Sequence, residues 1–315
     1  MSLFPKEILT YLALQGIPRG PNSNIYLVDT VNGNDSNIGD RWTKPLATIA
    51  AAYAKCTANQ HDVVLYLAGS SGLTMSAALV WAKNYTHLIG LCAPTHAAQR
   101  ARVFQLATLT GASPLVTVSA TGCILKNLYL FQGVDDATSL INVEVTGGRN
   151  YFENVHFAGG GHATQAINGG ASLSLDGAEE NLFVNCTIGV DTISAATGMA
   201  GVLFDSQAHR NVFRDCKFTM YAGNAGAIFA EVVDATGIDR YTIFERCLFL
   251  NTSATAMTAA FAIPAMGAPR RIYLVDCALH GATDWDANDR GVLFQSNGTL
   301  TVGGNAGTML TTVAA

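Results

Sequence analysis

Side chains able to do chemistry are scarce in this chain of 315 residues, where Asp, Glu, Lys and Arg together make up 13%. Four carboxylate pairs stand out: Asp135 with Asp136, Glu179 with Glu180, Asp205 with Asp234, and Asp284 with Asp286. Two acids facing each other across a groove, roughly 5 to 10 Å apart, would cleave a glycosidic bond. A polysaccharide groove also needs a cluster of Trp, Tyr, Arg and Lys around its acids, and no pair here is surrounded by one. Pairs adjacent in sequence also point to opposite sides of a strand or fall in turns.

Other candidates meet similar objections. Asp29, Asn32, Asp35, Asn37 and Asp40 crowd one loop and could offer oxygen ligands to calcium. The same residue types, with Gly, also simply make turns. The segment 284–291 resembles a calcium loop at Asp284, Asp286 and Asn288, but Asp289 replaces the required Gly and Gln295 the bidentate Glu. Trp285 within it could stack on a sugar ring or meet another subunit. His162, in a run of glycines, is as well explained as a plain loop residue. Cys186, Cys216, Cys247 and Cys277 fall in one column, but four collinear sulfurs make no tetrahedron and parallel Cβ directions suit no disulfide. They read as buried packing. Seven cysteines without a C-x-x-C pair argue against a disulfide framework, and no phosphate loop, dinucleotide fingerprint or G-x-S-x-G is present.

The elements that would position such residues come from an internal repeat. The phrases ILKNLYL, YFENVHF, LFVNCTI, VFRDCKF, IFERCLF and YLVDCAL recur with their fourth residues at Asn127, Asn154, Asn185, Asp215, Arg246 and Asp276, 27 to 31 positions apart. Two residues earlier stands an apolar column: Leu125, Phe152, Phe183, Phe213, Phe244 and Leu274. One and three residues later stand two more, from Leu128 to Cys277 and from Leu130 to Leu279. Residues i and i+2 of a strand share a face, so all three columns point inward only if the chain bends at the polar residue. Asn and Asp tolerate the left-handed backbone such a bend requires, whereas Arg246 breaks the pattern. A second alternating segment precedes each phrase (LVTVSA, LINVEV, SLSLDG, GVLFDS, AIFAEV, AFAIPA), so each repeat holds at least two strands. A unit of about 30 residues with like residues in register is the signature of a parallel β-helix.

The opening YLVDTVNGNDSNIGDRWTKPLATIAAAYAKC, with HDVVLYLAGSSG and THLIGLCAP, resembles the first turns of pectate-lyase-like right-handed β-helix proteins. The matching residues are Val28, Asp29, Gly33, Asp35, Asn37, Gly39, Pro45, Thr48 and Ile49. The resemblance spans residues 25 to about 300 and implies an all-β, single-stranded, right-handed parallel β-helix with a short capping helix in residues 47–57. It is specific for fold and weak for function, because the family holds lyases, hydrolases, phage tailspikes and virion structural proteins. A lyase of this family would need a basic proton abstractor beside calcium, yet only Lys126 and Arg149 are basic between residues 103 and 208.

The expected organisation is an N-terminal docking arm in residues 1–24, the first turn and capping helix in 25–60, and the β-helix proper in 61–315. The formal charge of −5 argues against nucleic acid as partner, and no run of 18 apolar residues argues for a membrane span or signal peptide. The loops 191–201, 219–227 and 250–269 are rich in Ala, Met, Thr and Gly and nearly uncharged. Such loops suggest a contact surface. Ile8, Leu9 and Leu12 of the arm, Met199, Met220, Met257 and Met266 of the loops, and Trp285 are therefore the expected partner contacts. We expect no catalytic residue, no cofactor and no metal. With the resemblance, the sequence points to a non-enzymatic virion structural protein of a tailed bacteriophage. It would be a homotrimer decorating or cementing the outer surface of the capsid or tail, bound to the major capsid protein or another virion protein and in reach of a host glycan. The alternatives are a tailspike or secreted enzyme that degrades polysaccharide, and a glycan-binding adhesin.

Overall fold

A computed structural model of the chain describes residues 6–69, 71–266, 270–286 and 292–295. Its strands are joined by parallel pairings into a sheet of 17 strands and one of 7, wound as a β-solenoid of about seven turns. The larger sheet is creased lengthwise into two faces. Face one runs from Ile25–Asp29 through Val63–Leu67, His87–Leu91 and the first halves of Ile124–Phe131 and Tyr151–Ala158 to Leu182–Val184, Asn211–Arg214, Tyr241–Glu245 and Arg271–Val275. Face two holds the second halves of the long strands, then Thr187–Ile188, Lys217–Ala222, Leu248–Asn251 and Ala278–His280. Face three is the smaller sheet, from Leu79–Trp81 to Phe261–Ala262. It contains the second segments of the repeat, so each full turn has three strands and not only two.

The crease is where the polar column predicts it. Asn127, Asn154, Asn185, Asp215, Arg246 and Asp276 all have φ between 51° and 57°. The inward column is in register from Leu125 to Leu274, every member 2% exposed or less. Its phenylalanines stack nearly parallel: Phe152 on Phe183 at 4.7 Å, Phe183 on Phe213 at 4.5 Å, and Phe213 on Phe244 at 4.9 Å. Each ring adds about 0.5–1.5 kcal/mol of aromatic contact to roughly 2–3 kcal/mol of burial, so the stack outweighs any of the exposed ion pairs.

A second column lies at the crease between faces three and one. Asn150, Asn181 and Asn211 are at most 2% exposed. Asn211 Oδ1 accepts from Asn181 N (3.0 Å), Asn181 Oδ1 from Asn150 N (2.9 Å) and Asn150 Oδ1 from Cys123 N (2.8 Å). Their amide nitrogens donate to the carbonyls of Ala178, Gly147 and Ala120. Buried turn backbone needs such partners.

The opening motif has a structural use for each polar residue. Asp29 accepts from the backbone of Val31 and Asn32 and from Asn32 Nδ2, and Asn37 Nδ2 donates to Pro45 O. Asp35 accepts from Ala47 N, Thr48 N and Thr48 Oγ1 at 2.8–2.9 Å, while Asp40 pairs with Arg41. Gly33 passes so close to Leu46 O that a Cβ would stand 2.1 Å from it. Thr48 then caps the helix Ile49–Lys55 by accepting from Ala51 N. Ile49 and Ala52 seat this helix on the core, and Lys83 Nζ donates to the carbonyls of Tyr53, Ala54 and Cys56 at its far end.

The expected docking arm is corrected. Lys6–Leu14 forms a helix, referred to as αN, that lies on its own chain. Leu12 (0% exposed) and Ile17 (4%) pack with Ile25, Leu27, Val63, Leu65 and Ile89 on the outer side of face one, with Ile8 and Leu9 half-buried beside them. The spacing of Ile8, Leu9 and Leu12 is a helical stripe, and three successive turns of the solenoid present aliphatic side chains outward beneath it.

Candidate functional site

The acids singled out in sequence are engaged in backbone turns and rung-to-rung contacts. Asp136 accepts from Ser139 Oγ (2.5 Å), Thr138 Oγ1 (2.7 Å), Thr138 N and Gly111 N, which hold its carboxyl well below the usual range. Asp135 points to solvent, 3.6 Å from His162 Nδ1. Glu179 and Glu180 belong to a network along one crease, in which Arg149 reaches both (2.9 and 2.7 Å), Arg210 reaches Glu180 (2.5 Å) and His209 reaches Glu179 (3.2 Å). Asp205 accepts from Ser206 N, Asp234 from Thr236 N and Oγ1, and Asp284 from Trp285 N. Asp286 is 2% exposed. Asn288 and Asp289 lie outside the described residues. Lys126 is also committed: it is buried and pairs with Glu153 at 2.7 Å.

Composition and motif search missed a different set of acids. On the outer side of face three, Glu144 shares a column with Thr117, Ser174, Leu203 and Glu231. Asp176 and Asp205 form the next column, two residues along. Burial, and then the charge of Asp176, push the Glu144 carboxyl up, and burial does the same to Glu231. Two outward carboxyls on adjacent rungs, offset by two residues, have about the spacing of an acid pair for glycoside cleavage. Lys and Arg are absent from the seven strands of this face. The signal was present in sequence as the alternation INVEV, SLSLD, VLFD and FAEV, whose acids fall on the outward positions.

Face two carries a second arrangement the sequence reading missed. Residues 92–101 leave the strand His87–Leu91 and run across later turns. Ala98 N donates to His156 Nδ1 (3.0 Å), and His156 Nε2 donates to Gly189 O (2.8 Å). Gln99 Nε2 donates to Asn154 O and Oδ1, Thr187 Oγ1 donates to His96 O, and His96 Nδ1 meets Asn185 Oδ1 at 2.8 Å. His156 is thus a neutral imidazole, its pKa lowered by burial to about 4. Among the described residues no three His, Cys, Asp or Glu side chains converge on a point where a metal ion would be held.

The expected partner contacts are mostly interior. Met199 (3% exposed), Met220 (3%), Met257 (0%) and Met266 (9%) belong to the chain's own core. An inward methionine in a loop fills the irregular space beside the stacked rings. Trp285 is half-buried, stacked on Phe261 (5.8 Å, 17°) and edge-on to Phe249 (5.5 Å). Cys186, Cys216 and Cys247 are buried as expected, whereas Cys277 at the end of the column is half-buried; their thiols donate to the carbonyls of Phe152, Phe183, Phe213 and Phe244.

No known family profile matches the sequence, and no curated protein matches it. Solved structures do. A rhamnogalacturonan lyase superposes with a TM-score of 0.62 at 16% identity, over 87% of this chain and 73% of the other. A pectin methylesterase in complex with a hexasaccharide gives 0.58 at 15% identity, over 88% and 89%. The fold is a pectate-lyase-like β-helix. The pectin methylesterase from Aspergillus niger agrees, with a TM-score of 0.56 at 14% identity over 88% and 85% of the two chains. At such identities the β-helix likeness carries the fold and not the activity.

Proposed function

We propose that this β-helix is a structural, non-catalytic component of a tailed bacteriophage particle, a homotrimer seated on the outer surface of capsid or tail through the major capsid protein or another virion protein. The observation that carries the non-catalytic part is the use made of the acids. Asp136, Glu179, Glu180, Asp205, Asp234, Asp284 and Asp286 are engaged with their own turns, with the adjacent rung or with the interior, which leaves Asp135 facing solvent without its partner in the pair. A side chain committed in this way keeps its geometry only by staying where it is, which suits a rigid rod. The phage assignment follows from the resemblance of the opening motif. The test is to mix the purified chain with particles that lack it: it binds their surface, and binding to particles that already carry it would be absent.

A second reading has one observation in its favour. Glu144, with its raised pKa beside Asp176, supports a polysaccharide-degrading enzyme acting along face three. It requires that a panel of pectic and bacterial surface polysaccharides yield reducing or unsaturated ends, and that Glu144→Gln abolish the release.

A further inference from the structure

Arg102 holds a buried donor that the chain itself does not satisfy. Its Nε is closed off from solvent, and among the described residues no acceptor meets it and no carboxylate pairs with the guanidinium. Leaving such a donor unmet is costly, and an acceptor brought from outside would relieve it.

The arginine stands on the outer side of face two. On the strand Arg102–Gln105 it pairs in register with Tyr129, and Phe104 with Phe131, while Val103 and Leu130 between them are buried in the core. The guanidinium lies over the Tyr129 ring at 5.5 Å, Tyr129 stacks on Phe131 at 5.7 Å and 24°, and Phe104 meets Phe131 edge-on at 6.1 Å. All four side chains are half-buried. Gly133 and Gly161 flank the Phe131 ring so closely that a Cβ would stand 2.3 and 2.5 Å from it, which leaves bare backbone beside the rings.

The surrounding charges select an anion. Lys217, three rungs beyond Tyr129 on the same outward column, also has no carboxylate partner among the described residues. Asp191 is the acid whose charge reaches Tyr129 and His156, and it pairs with neither cation. Face three, by contrast, turns Glu144, Asp176, Asp205 and Glu231 outward and repels the same anion. One guanidinium with one acid nearby suits a singly charged carboxylate better than a doubly charged phosphate, and the two oxygens of a carboxylate match the fork. Rings and glycine backbone offer few partners for the hydroxyls of a sugar, whereas an apolar side chain finds a platform there. Arg and Tyr are also the residues on which protein contacts concentrate their energy.

We propose that Arg102 and the rings of Tyr129, Phe131 and Phe104 form a receptor for an acidic side chain of a partner protein, an Asp or Glu with an apolar residue beside it. The carboxylate lies on the Arg102 fork and its apolar neighbour on the rings. This names the chemistry of the contact between the chain and another virion protein, and to that extent rests on the proposed function.

The test is a titration of the full-length chain followed by NMR, read from the Arg102 Nε–H signal and the backbone amides of Tyr129 and Phe131. The probes are N-acetyl-Phe-Glu-amide, its neutral counterpart N-acetyl-Phe-Gln-amide, and glucuronic acid. The expected result is saturable binding of the Glu peptide that salt weakens, with affinity lower by about tenfold or more for the Gln peptide and in Arg102→Gln. Arg100→Gln, at an exposed position of the neighbouring segment, keeps the wild-type affinity. No saturable shift with the Glu peptide, equal affinity for the two peptides, or unchanged affinity in a folded Arg102→Gln would overturn the proposal. Tighter binding of glucuronic acid than of the Glu peptide would overturn it in favour of a sugar site. Should Arg102→Gln misfold, the two peptides compared on the wild type decide alone. A chain that binds the Glu peptide but no particle counts against the virion reading and leaves the receptor standing, and particle binding without peptide binding does the reverse.

Discussion

Arg246 stands one turn above Asp215 and grips its carboxylate with Nε at 2.7 Å and Nη2 at 3.0 Å, and both residues hold a left-handed backbone, φ 51° and 54°. The residue that interrupts the Asn/Asp column in sequence therefore still makes the crease. Its side chain holds the Asp215 carboxyl below the ordinary range through that hydrogen-bonded pair. Backbone demand ranks substitutions here: Arg246→Asn and Arg246→Gly keep the urea midpoint near wild type, and Arg246→Val lowers it, because a β-branched residue resists this φ. A Val variant as stable as the Asn variant would show that the crease does not depend on left-handed tolerance.

Asn154 bears a heavier share. It is 3% exposed, donates to Asn127 Oδ1 (2.9 Å), and accepts from Gln99 Nε2 (2.8 Å). Asn154→Ala should cost about 2–4 kcal/mol, combining the left-handed penalty with unpaired buried groups. Asn154→Gly should cost less, since only the hydrogen bonds are lost. Chemical denaturation of the two variants gives the comparison.

Phe213 lies between Phe183 and Phe244 in the stack and touches Phe218 edge-on at 5.6 Å. Phe213→Ala removes a ring from the middle of the column and should destabilise by about 3–5 kcal/mol. An equivalent truncation at exposed Tyr221 should stay within about 0.5 kcal/mol, measured by the same urea titration.

Acid should loosen the solenoid through its buried histidines. Burial, with His61 at 3.1 Å, lowers the His87 pKa to about 3, and burial lowers that of His156 to about 4. His156 is also faced by Lys217 and His96, which disfavour its charge, and by Asp191, which favours it. The unfolded chain binds these protons near pH 6.5, so stability is fully present above that pH and is lost as pH falls toward 4 and 3. Glu144 and Glu231, raised by burial, act in the opposite sense and offset part of the loss. The melting temperature should be flat above neutrality and fall below about pH 6.5, with a shallower fall in His156→Gln.

The thiols should be inert in the folded chain. Burial pushes Cys216 and Cys247 up, and Cys56 to about 12. Alkylation at neutral pH should leave these three unmodified until denaturant is added, while the half-buried Cys92 reacts first. Mass spectrometry of the labelled protein reads this directly.

The legible and illegible parts of the sequence divide along a physical line. The three apolar columns and their polar hinge were readable because a repeat forces like residues into register, and a period of about 30 exposes every column at once. The Asn150–Asn181–Asn211 column obeys the same period but was passed over, because a polar residue beside a turn looks like turn chemistry until its burial is known. The helix Lys6–Leu14 and the methionine loops elude a reading of composition for one reason. Composition reports that a segment is apolar and charge-poor, and it cannot report whether the surface that covers it belongs to the same chain. Glu144 and Asp176 are far apart in sequence and meet only through the parallel register, so no local motif announces them.

Electron cryo-microscopy of virions assembled with the chain decides whether this β-helix serves a particle as a structural rod. The expected result is rod-shaped density that matches the three-faced solenoid, in symmetric clusters on the outer surface, and absent from virions assembled without the chain. Particles identical with and without it, together with polysaccharide cleavage that Glu144→Gln abolishes, would rule the rod out.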